Sequence, residues 1–319
     1  MCSVFVTAAF AFAGTELVGL AAAETANPRK SLPTAIKQVF WRILLFYIVS
    51  LLLVGLLVRY DNQQLLNGSG SADAKASPFV ISIQQAGISG LPSVMNVVIM
   101  ISVLSVGNSS IYGSSRTLAA LAEQRQAPRI FAYIDRKGRP LFAILLASVI
   151  GYLSYIGASS KQGDAFTWML ALSGLSSIFT WGSICLAHMR FRSGWKHQGH
   201  SLDELAFKSQ AGYIGSCIGF GFNCLVLIAQ FWTGFAPIGW RDLSTNALVS
   251  NFFQAYLAAP IVLAFYIPYK IYYKTPFVTV DMMDLKTGRR DLDLGHLLAE
   301  ERAERAAWPA WKKAYKFLC

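Results

Sequence analysis

The sequence predicts an all-α, polytopic membrane protein with seven transmembrane helices. Of its 319 residues, 54% are hydrophobic before glycine is counted, and only 14% are charged, where a soluble domain has about 25%. The mean hydropathy is +0.43. One soluble core cannot bury an apolar excess of this size, which excludes a cytosolic enzyme, a disordered chain and a small disulfide-stapled secreted domain.

The individual spans follow from the lengths of the apolar segments. A bilayer core about 30 Å thick needs roughly 20 apolar residues per helix. Seven segments meet this requirement, at about residues 3–23, 40–58, 92–115, 141–160, 165–188, 211–237 and 247–269. We therefore predict a transmembrane domain over residues 1–274 and a polar tail over residues 275–319.

The basic residues predict the orientation of the spans. Of the 28 lysines and arginines, 24 lie in alternate loops and in the tail, and the other side of the membrane receives Arg59, Lys75, Lys161 and Arg241. By the positive-inside rule the tail is cytosolic. The long outer loop at 60–91 then presents Asn67, in Asn-Gly-Ser, as a candidate glycosylation site. Because the basic residues sit between apolar segments, the net charge of +11 predicts membrane orientation and no nucleic-acid partner.

The chain contains none of the common catalytic motifs. It has no GxSxG, no phosphate-binding loop and no HExxH, and its five cysteines and four histidines show no metal-ligand spacing. The sequence therefore predicts neither an enzyme nor a metal or cofactor site. Without a nucleotide-binding loop, transport would be passive or driven by an ion gradient.

Glu16 is the acidic residue that lies near the middle of a predicted span. A carboxylate there is costly and by default marks a binding site or a pathway. It follows Phe12-Ala13-Gly14-Thr15, with another glycine at Gly19, and glycine allows non-helical backbone. We expect an interrupted helix whose backbone groups can hold a charged substrate. The alternative is a protonated Glu16 that is hydrogen-bonded to a neighbouring helix.

Small polar residues mark two further spans. In the third span Ser102, Ser105 and Ser109 recur at helical spacing and predict a polar stripe, with Asn108 beside it. The fifth span carries Ser173 in Ser-Gly-Leu-Ser-Ser. The alternative for both is close helix packing, which small polar residues also favour.

Several runs of sequence resemble the fungal general amino-acid permeases, members of the amino acid–polyamine–organocation superfamily. They are FAGTELVGLAAAETANPRKSLPTAIKQVFWRI, VLSVGNSSIYGSSRTLAALAEQRQAPRIFAYIDRKGRP, LALSGLSSIFTWGSICLAHMRFR and DLKTGRRDLDL. The resemblance covers essentially the whole chain. It implies a fold of two inverted five-helix repeats, as in LeuT, with this chain similar to the sixth to twelfth of twelve spans. We therefore expect a carboxyl-terminal fragment or a truncated gene product.

The resemblance also implies half of a substrate site. Phe12, Ala13, Gly14, Thr15 and Glu16 match the unwound stretch of the family's sixth span, where backbone carbonyls receive the substrate amino group and an aromatic side chain, here Phe12, gates it. Ser173 matches a position that influences selectivity, and Ser105, Asn108 and Ser109 lie near the central cavity. The implied activity is proton symport, in which Glu16 could carry the proton, since a low dielectric favours the neutral carboxyl group.

The tail carries candidate sites of its own. Its last residues resemble the aromatic-plus-cysteine end of these permeases, which makes Cys319 a candidate for palmitoylation. Interleaved aromatic and basic residues predict contact with the cytosolic leaflet; the alternative is a solvated helix. Leu297-Leu298 in an acidic setting resembles a trafficking signal, so trafficking and ubiquitination machinery are expected partners.

The function that we predict is proton-coupled transport of L-amino acids, with a broad substrate range, across the plasma membrane. The proton gradient would supply the energy, and no cofactor is expected. The alternatives are a seven-helix receptor, which shares the span count and orientation, and a permease remnant that does not transport.

Overall fold

The computed structural model describes residues 4–20, 28–63, 77–158, 162–205, 208–237 and 239–285, with residues 65, 287, 303, 306–310 and 312. Regular structure within these residues is helical, and none of them forms a β-strand, in agreement with the predicted all-α class. The α-helices are α1 Phe5–Phe12, α2 Leu17–Leu20, α3 Pro28–Leu57, α4 Pro78–Gln85, α5 Leu91–Glu123, α6 Leu141–Gly151, α7 Gln162–His197, α8 Gly212–Phe235, α9 Thr245–Tyr256 and α10 Ala258–Tyr273.

Four stretches of helix are long and apolar enough to cross a membrane. They correspond to the predicted second, third, fifth and sixth spans and cover Ser31–Leu57, Leu91–Glu123, Ala165–His197 and Gly212–Asp242. The predicted seventh span is a pair of helices, α9 and α10, bent by 65°, which makes a fifth candidate if the pair crosses as one. The described residues thus give four or five spanning candidates, and the prediction of seven spans is confirmed only to that extent.

Proline explains the bend between α9 and α10. Pro260 has no N–H to donate to the carbonyl of Tyr256, four residues earlier, and its ring clashes with that carbonyl. Tyr256 is the residue at which α9 ends. The predicted fourth span also departs from one continuous α-helix, because α6 ends at Gly151 and a 3-10 helix covers Tyr152–Ala158.

The chain divides into two compact units, Met1–Ala13 with Trp168–Cys319, and Gly14–Thr167. The first unit has a core in which α1, α7, α8 and α10 meet, formed by Val6, Ala9, Leu175, Ile178, Val226 and Ala258. Two helices approach closely at Gly174, where a Cβ would lie 2.6 Å from the carbonyl oxygen of Val6. Glycine at 174 therefore lets α1 lie directly against the backbone of α7.

Part of the segment after α10 contacts the end of α7 within the same unit. His197 Nε2 lies 2.6 Å from a carboxylate oxygen of Asp281, and Gln198 Nε2 donates to the carbonyl of Met283 at 2.8 Å. Arg190 donates to the carbonyl of Val278 and its guanidinium lies over the ring of Phe277, 4.6 Å from the centroid. These contacts attach residues 277–283 to the carboxyl-terminal end of α7 and to Gln198, which follows it.

The second unit is arranged around α5, which contacts α2, α4, α6 and a 3-10 turn at Arg129–Ala132. Its contact with α2 is close, because a Cβ at Gly113 would lie 2.5 Å from Cδ2 of Leu17. In the loop between α5 and α6, the Arg139 side chain donates to Asp135 from Nε and Nη2 at 2.9 and 2.7 Å. These bonds, with two from backbone N–H groups, hold the pKa of the Asp135 carboxyl below its usual value.

Candidate functional site

The first apolar segment is interrupted where the sequence predicts an interruption. Helix α1 ends at Phe12, residues 13–16 form turns, and α2 begins at Leu17. Gly14 has a φ of +94°, a backbone conformation that side-chain-bearing residues rarely adopt. Leu17 N donates to the Gly14 carbonyl at 3.1 Å, which restarts the helical pattern. The expected interruption of the helix is therefore confirmed.

The Glu16 side chain takes part in the turn itself. Its Oε1 accepts a hydrogen bond from the backbone N–H of Gly14 at 3.3 Å, in a half-buried setting. The carboxylate thus binds the backbone of the turn at Gly14, the residue with the positive φ.

Phe12 and Ala13 lie at the other edge of the interruption. Both are exposed, and Phe12 is the last residue of α1. The carboxyl-terminal end of a helix also carries a partial negative charge. The end of α1 therefore suits a cationic donor such as an ammonium group. The predicted gating role of Phe12 stays a prediction.

The predicted polar stripe lies on one exposed face of a continuous helix. Ser102, Ser105, Asn108 and Ser109 are all exposed on α5, and the Ser102 hydroxyl donates to the Val98 carbonyl at 2.8 Å. Gly113, one turn beyond Ser109, is the residue against which Leu17 of α2 lies. Within this unit the turn at Gly14–Glu16 and the stripe are thus on neighbouring elements.

Ser173 belongs to the unit that contains α1. It is half-buried in α7 and its carbonyl accepts hydrogen bonds from the hydroxyls of Ser176 and Ser177 at 2.8 and 3.1 Å. The next residue, Gly174, makes the close approach to Val6 of α1. Ser173 therefore lies beside the contact between α7 and the helix that ends at Phe12. Two other predicted sites, Asn67 and Cys319, lie outside the described residues.

Several polar residues within the spans were not singled out from the sequence. Gln230 in α8 is 6% exposed and donates to the carbonyl of Ala255 in α9 at 3.3 Å. Asn251 in α9 donates to the carbonyl of Gly234 at 3.1 Å. Interhelical hydrogen bonds of this kind fix helices against one another in a membrane. In the sequence, the only indication of these bonds is that Gln230 and Asn251 each carry a side-chain amide within an apolar segment.

If this turn serves the transport that the sequence predicts, replacing Gly14 with alanine is expected to reduce that transport by way of the backbone. A Cβ would have room, since Cδ1 of Leu17 is 3.7 Å away, but the positive φ costs a residue with a side chain about 1–2 kcal/mol. We expect uptake to fall roughly 5–30-fold. Gly19→Ala is the matched control, because no atom lies within 4 Å of its Cβ position. Equal uptake in the two variants at equal surface level would contradict a role for this turn.

Residues 1–282 match the model of a family described as amino acid permease. The chain belongs to the amino acid permease family. It is 54% identical to General amino-acid permease GAP1 of Saccharomyces cerevisiae over 324 residues, 100% of this chain and 53% of that protein. It is 56% identical to General amino-acid permease GAP2 of Candida albicans over 322 residues, 99% of this chain and 54% of that protein.

A third relative comes from another fungus. The chain is 50% identical over 313 residues to Amino-acid permease inda1 of Hypocrea atroviridis, covering 98% of this chain and 54% of that protein. The chain thus spans about half the length of the curated relatives it matches. No solved structure matches it at a significant level. These findings confirm the resemblance to fungal general amino-acid permeases and do not favour a receptor or a non-transporting remnant.

Proposed function

We propose that this amino acid permease chain forms the second half of a proton-coupled carrier of L-amino acids in the plasma membrane, with its tail in the cytosol. The observation that carries the proposal is the interruption between α1 and α2, which places backbone groups and one carboxylate in the middle of an apolar segment. The proposed architecture has seven spans that correspond to the sixth to twelfth spans of an inverted-repeat transporter.

The chemistry of the interruption supports an amino acid as the transported solute. A zwitterion carries an ammonium group, which donates hydrogen bonds and is attracted to the negative end of a helix dipole. The carboxyl-terminal end of α1, at Phe12, is a negative end of this kind. The exposed hydroxyl and amide groups of α5, in the same compact unit as Glu16, can also hydrogen-bond a solute. Broken helices near the membrane centre serve the same purpose in other secondary transporters.

Glu16 supports coupling to protons. A carboxyl group takes up and releases one proton, and its protonation state changes the charge beside the proposed ammonium site. Its hydrogen bond to Gly14 N–H connects that change to the backbone of the turn. Protonation weakens this bond, since ionised acceptors form the stronger hydrogen bonds. We propose that this is how proton uptake alters the geometry of the site.

A chimera tests the proposal. This chain would replace the segment that it matches in General amino-acid permease GAP1 of S. cerevisiae, and the chimera would be expressed in yeast that lacks amino-acid permeases. We expect accumulation of a labelled L-amino acid that rises with external acidity and collapses with a protonophore. The unaltered relative is the positive control. If the chimera reaches the cell surface but the cells take up no more amino acid than cells without it, the proposal is contradicted.

For the tail we propose membrane attachment and recognition by trafficking and ubiquitination machinery. Cys319→Ser is expected to abolish incorporation of a palmitate analogue while uptake per surface molecule stays unchanged, because the terminal thiol is remote in sequence from the transport residues. Metabolic labelling followed by immunoprecipitation measures this, with Cys217→Ser as the matched control. Labelling that persists in Cys319→Ser would show that the acyl group is elsewhere.

A further inference from the structure

The loop between α5 and α6, residues 124–140, combines exposed cations with exposed apolar side chains. The cations are Arg125, Arg129, Arg136, Lys137 and Arg139, all exposed. Between them lie Ile130, Tyr133 and Ile134, which are 56%, 53% and 55% exposed. Three large apolar side chains are thus exposed among five cations in one short segment.

The loop is held in one conformation by its own hydrogen bonds. The backbone N–H groups of Gln126 and Ala127 donate to the Leu121 carbonyl at 2.8 and 3.2 Å and close the end of α5. Asp135 accepts from the backbone N–H groups of Lys137 and Arg139 at 2.9 and 2.8 Å. A preorganised surface loses less conformational entropy when it binds than a flexible one does.

The charge of this loop is strongly one-sided. Asp135 is the acidic residue between positions 124 and 140, and its carboxylate is engaged by the guanidinium of Arg139. Because Arg139 neutralises Asp135, the surface keeps the positive charges of Arg129, Arg136 and Lys137. Such a surface is complementary to an anionic one.

The position of the loop beside an apolar helix favours a lipid surface as the anionic partner. Helix α6 begins directly after Pro140 with the apolar run Leu141-Phe142-Ala143-Ile144, and the ring of Tyr133 lies 5.6 Å from that of Phe142. The exposed apolar side chains thus lie beside the start of an apolar helix. Tyrosine is enriched at the level of lipid headgroups, and interleaved apolar and basic side chains suit the surface of a bilayer.

We propose that this loop is a binding site for anionic phospholipids. Arg129, Arg136 and Lys137 contact the headgroup phosphates, and Ile130 and Ile134 enter the boundary between headgroups and acyl chains. The Asp135–Arg139 pair fixes the turn that presents these side chains. The proposal concerns lipid binding and does not require that the chain transports amino acids.

Lipid retention by the purified full chain tests the proposal. The detergent-solubilised protein would be mixed with equimolar phosphatidylserine and phosphatidylcholine, and the bound lipids counted by native mass spectrometry. Each cation near an anionic leaflet contributes roughly fivefold, so we expect a preference for phosphatidylserine of at least tenfold. Arg129→Gln/Arg136→Gln/Lys137→Gln is expected to reduce that preference to near unity.

Two controls separate this loop from net charge and from misfolding. Arg42→Gln/Lys196→Gln/Lys274→Gln removes the same charge from exposed positions elsewhere and should keep the preference. Arg129→Lys/Arg136→Lys/Lys137→Arg keeps the charge and should also retain phosphatidylserine, while size-exclusion chromatography checks that every variant is folded. Three results would overturn the proposal. The first is that wild type and Arg129→Gln/Arg136→Gln/Lys137→Gln retain phosphatidylserine equally, and the second is that the Arg42, Lys196 and Lys274 control loses as much as that variant does. The third is that the loop binds another protein and shows no lipid preference.

Discussion

Glu16→Gln is expected to reduce concentrative amino-acid uptake by the chimera roughly 10–100-fold while its amount at the cell surface stays unchanged. Glutamine keeps the acceptor oxygen that receives the Gly14 N–H at 3.3 Å, so the turn is preserved. It removes the negative charge and the titratable proton. Hydrogen bonds to charged groups are worth about 1.5–3 kcal/mol, and the expected loss in uptake is of that size.

Uptake of a labelled amino acid, normalised to surface biotinylation, measures the effect. Glu123→Gln at the exposed end of α5 is the same substitution outside the interruption and should leave uptake unchanged. Glu16→Gln should also flatten the dependence of residual uptake on external pH. Normal uptake with a normal pH dependence would remove Glu16 from the mechanism.

Gly174→Ala is expected to destabilise the protein. The added Cβ would lie 2.6 Å from the carbonyl oxygen of Val6 and 2.6 Å from its Cγ1. The side chain can rotate, but the carbonyl belongs to α1, so the helix itself has to move. Overpacking of this kind costs about 1–3 kcal/mol, which lowers the unfolding midpoint by roughly 3–10 °C.

Gly182→Ala is the matched control in the same helix. Gly182 is also buried, but the nearest atom to its added Cβ is Asn223 Cβ at 3.7 Å, an ordinary contact. Alanine favours a helix over glycine by about 1 kcal/mol, so this variant should be as stable as wild type or more so. Thermal unfolding in detergent, followed by size-exclusion chromatography, compares the two. A midpoint for Gly174→Ala at or above that of Gly182→Ala would contradict the described packing of α1 on α7.

The features that the sequence predicts correctly are local ones. Gly14 and Glu16 carry the interruption in their own chemistry, since glycine permits the positive φ and the carboxylate can cap a backbone N–H. The long helices α3, α5, α7 and α8 follow from uninterrupted apolar runs of sufficient length. The bend after Tyr256 was not predicted, since residues 247–269 were expected to form one span, although the effect of Pro260 is confined to one turn of helix.

The features that escape prediction depend on residues distant in sequence. Nothing local to Asp281 indicates that it pairs with His197, and nothing local to Gln230 identifies Ala255 as its acceptor. The contact of Gly174 could not be predicted for the same reason. A small residue favours close helix packing, but the local sequence does not indicate that Val6 is the residue packed against it. Such pairings depend on how several helices pack together, and the residue pattern of a single helix does not determine that packing.

The central claim is that the interruption between α1 and α2 contacts the transported amino acid. Substituted-cysteine protection tests it most directly, in the chimera with Ala13→Cys and the chain's own cysteines replaced by serine. The rate of reaction with a charged thiol reagent would be measured in permeabilised membranes with and without a saturating L-amino acid. Met282→Cys, at a 74% exposed position remote in sequence from the interruption, is the control.

We predict that the amino acid slows labelling of Ala13→Cys several-fold and leaves labelling of Met282→Cys unchanged, and that a sugar protects neither. Identical labelling rates at Ala13→Cys with and without the amino acid, in a chimera that transports, would contradict the claim and place the substrate elsewhere.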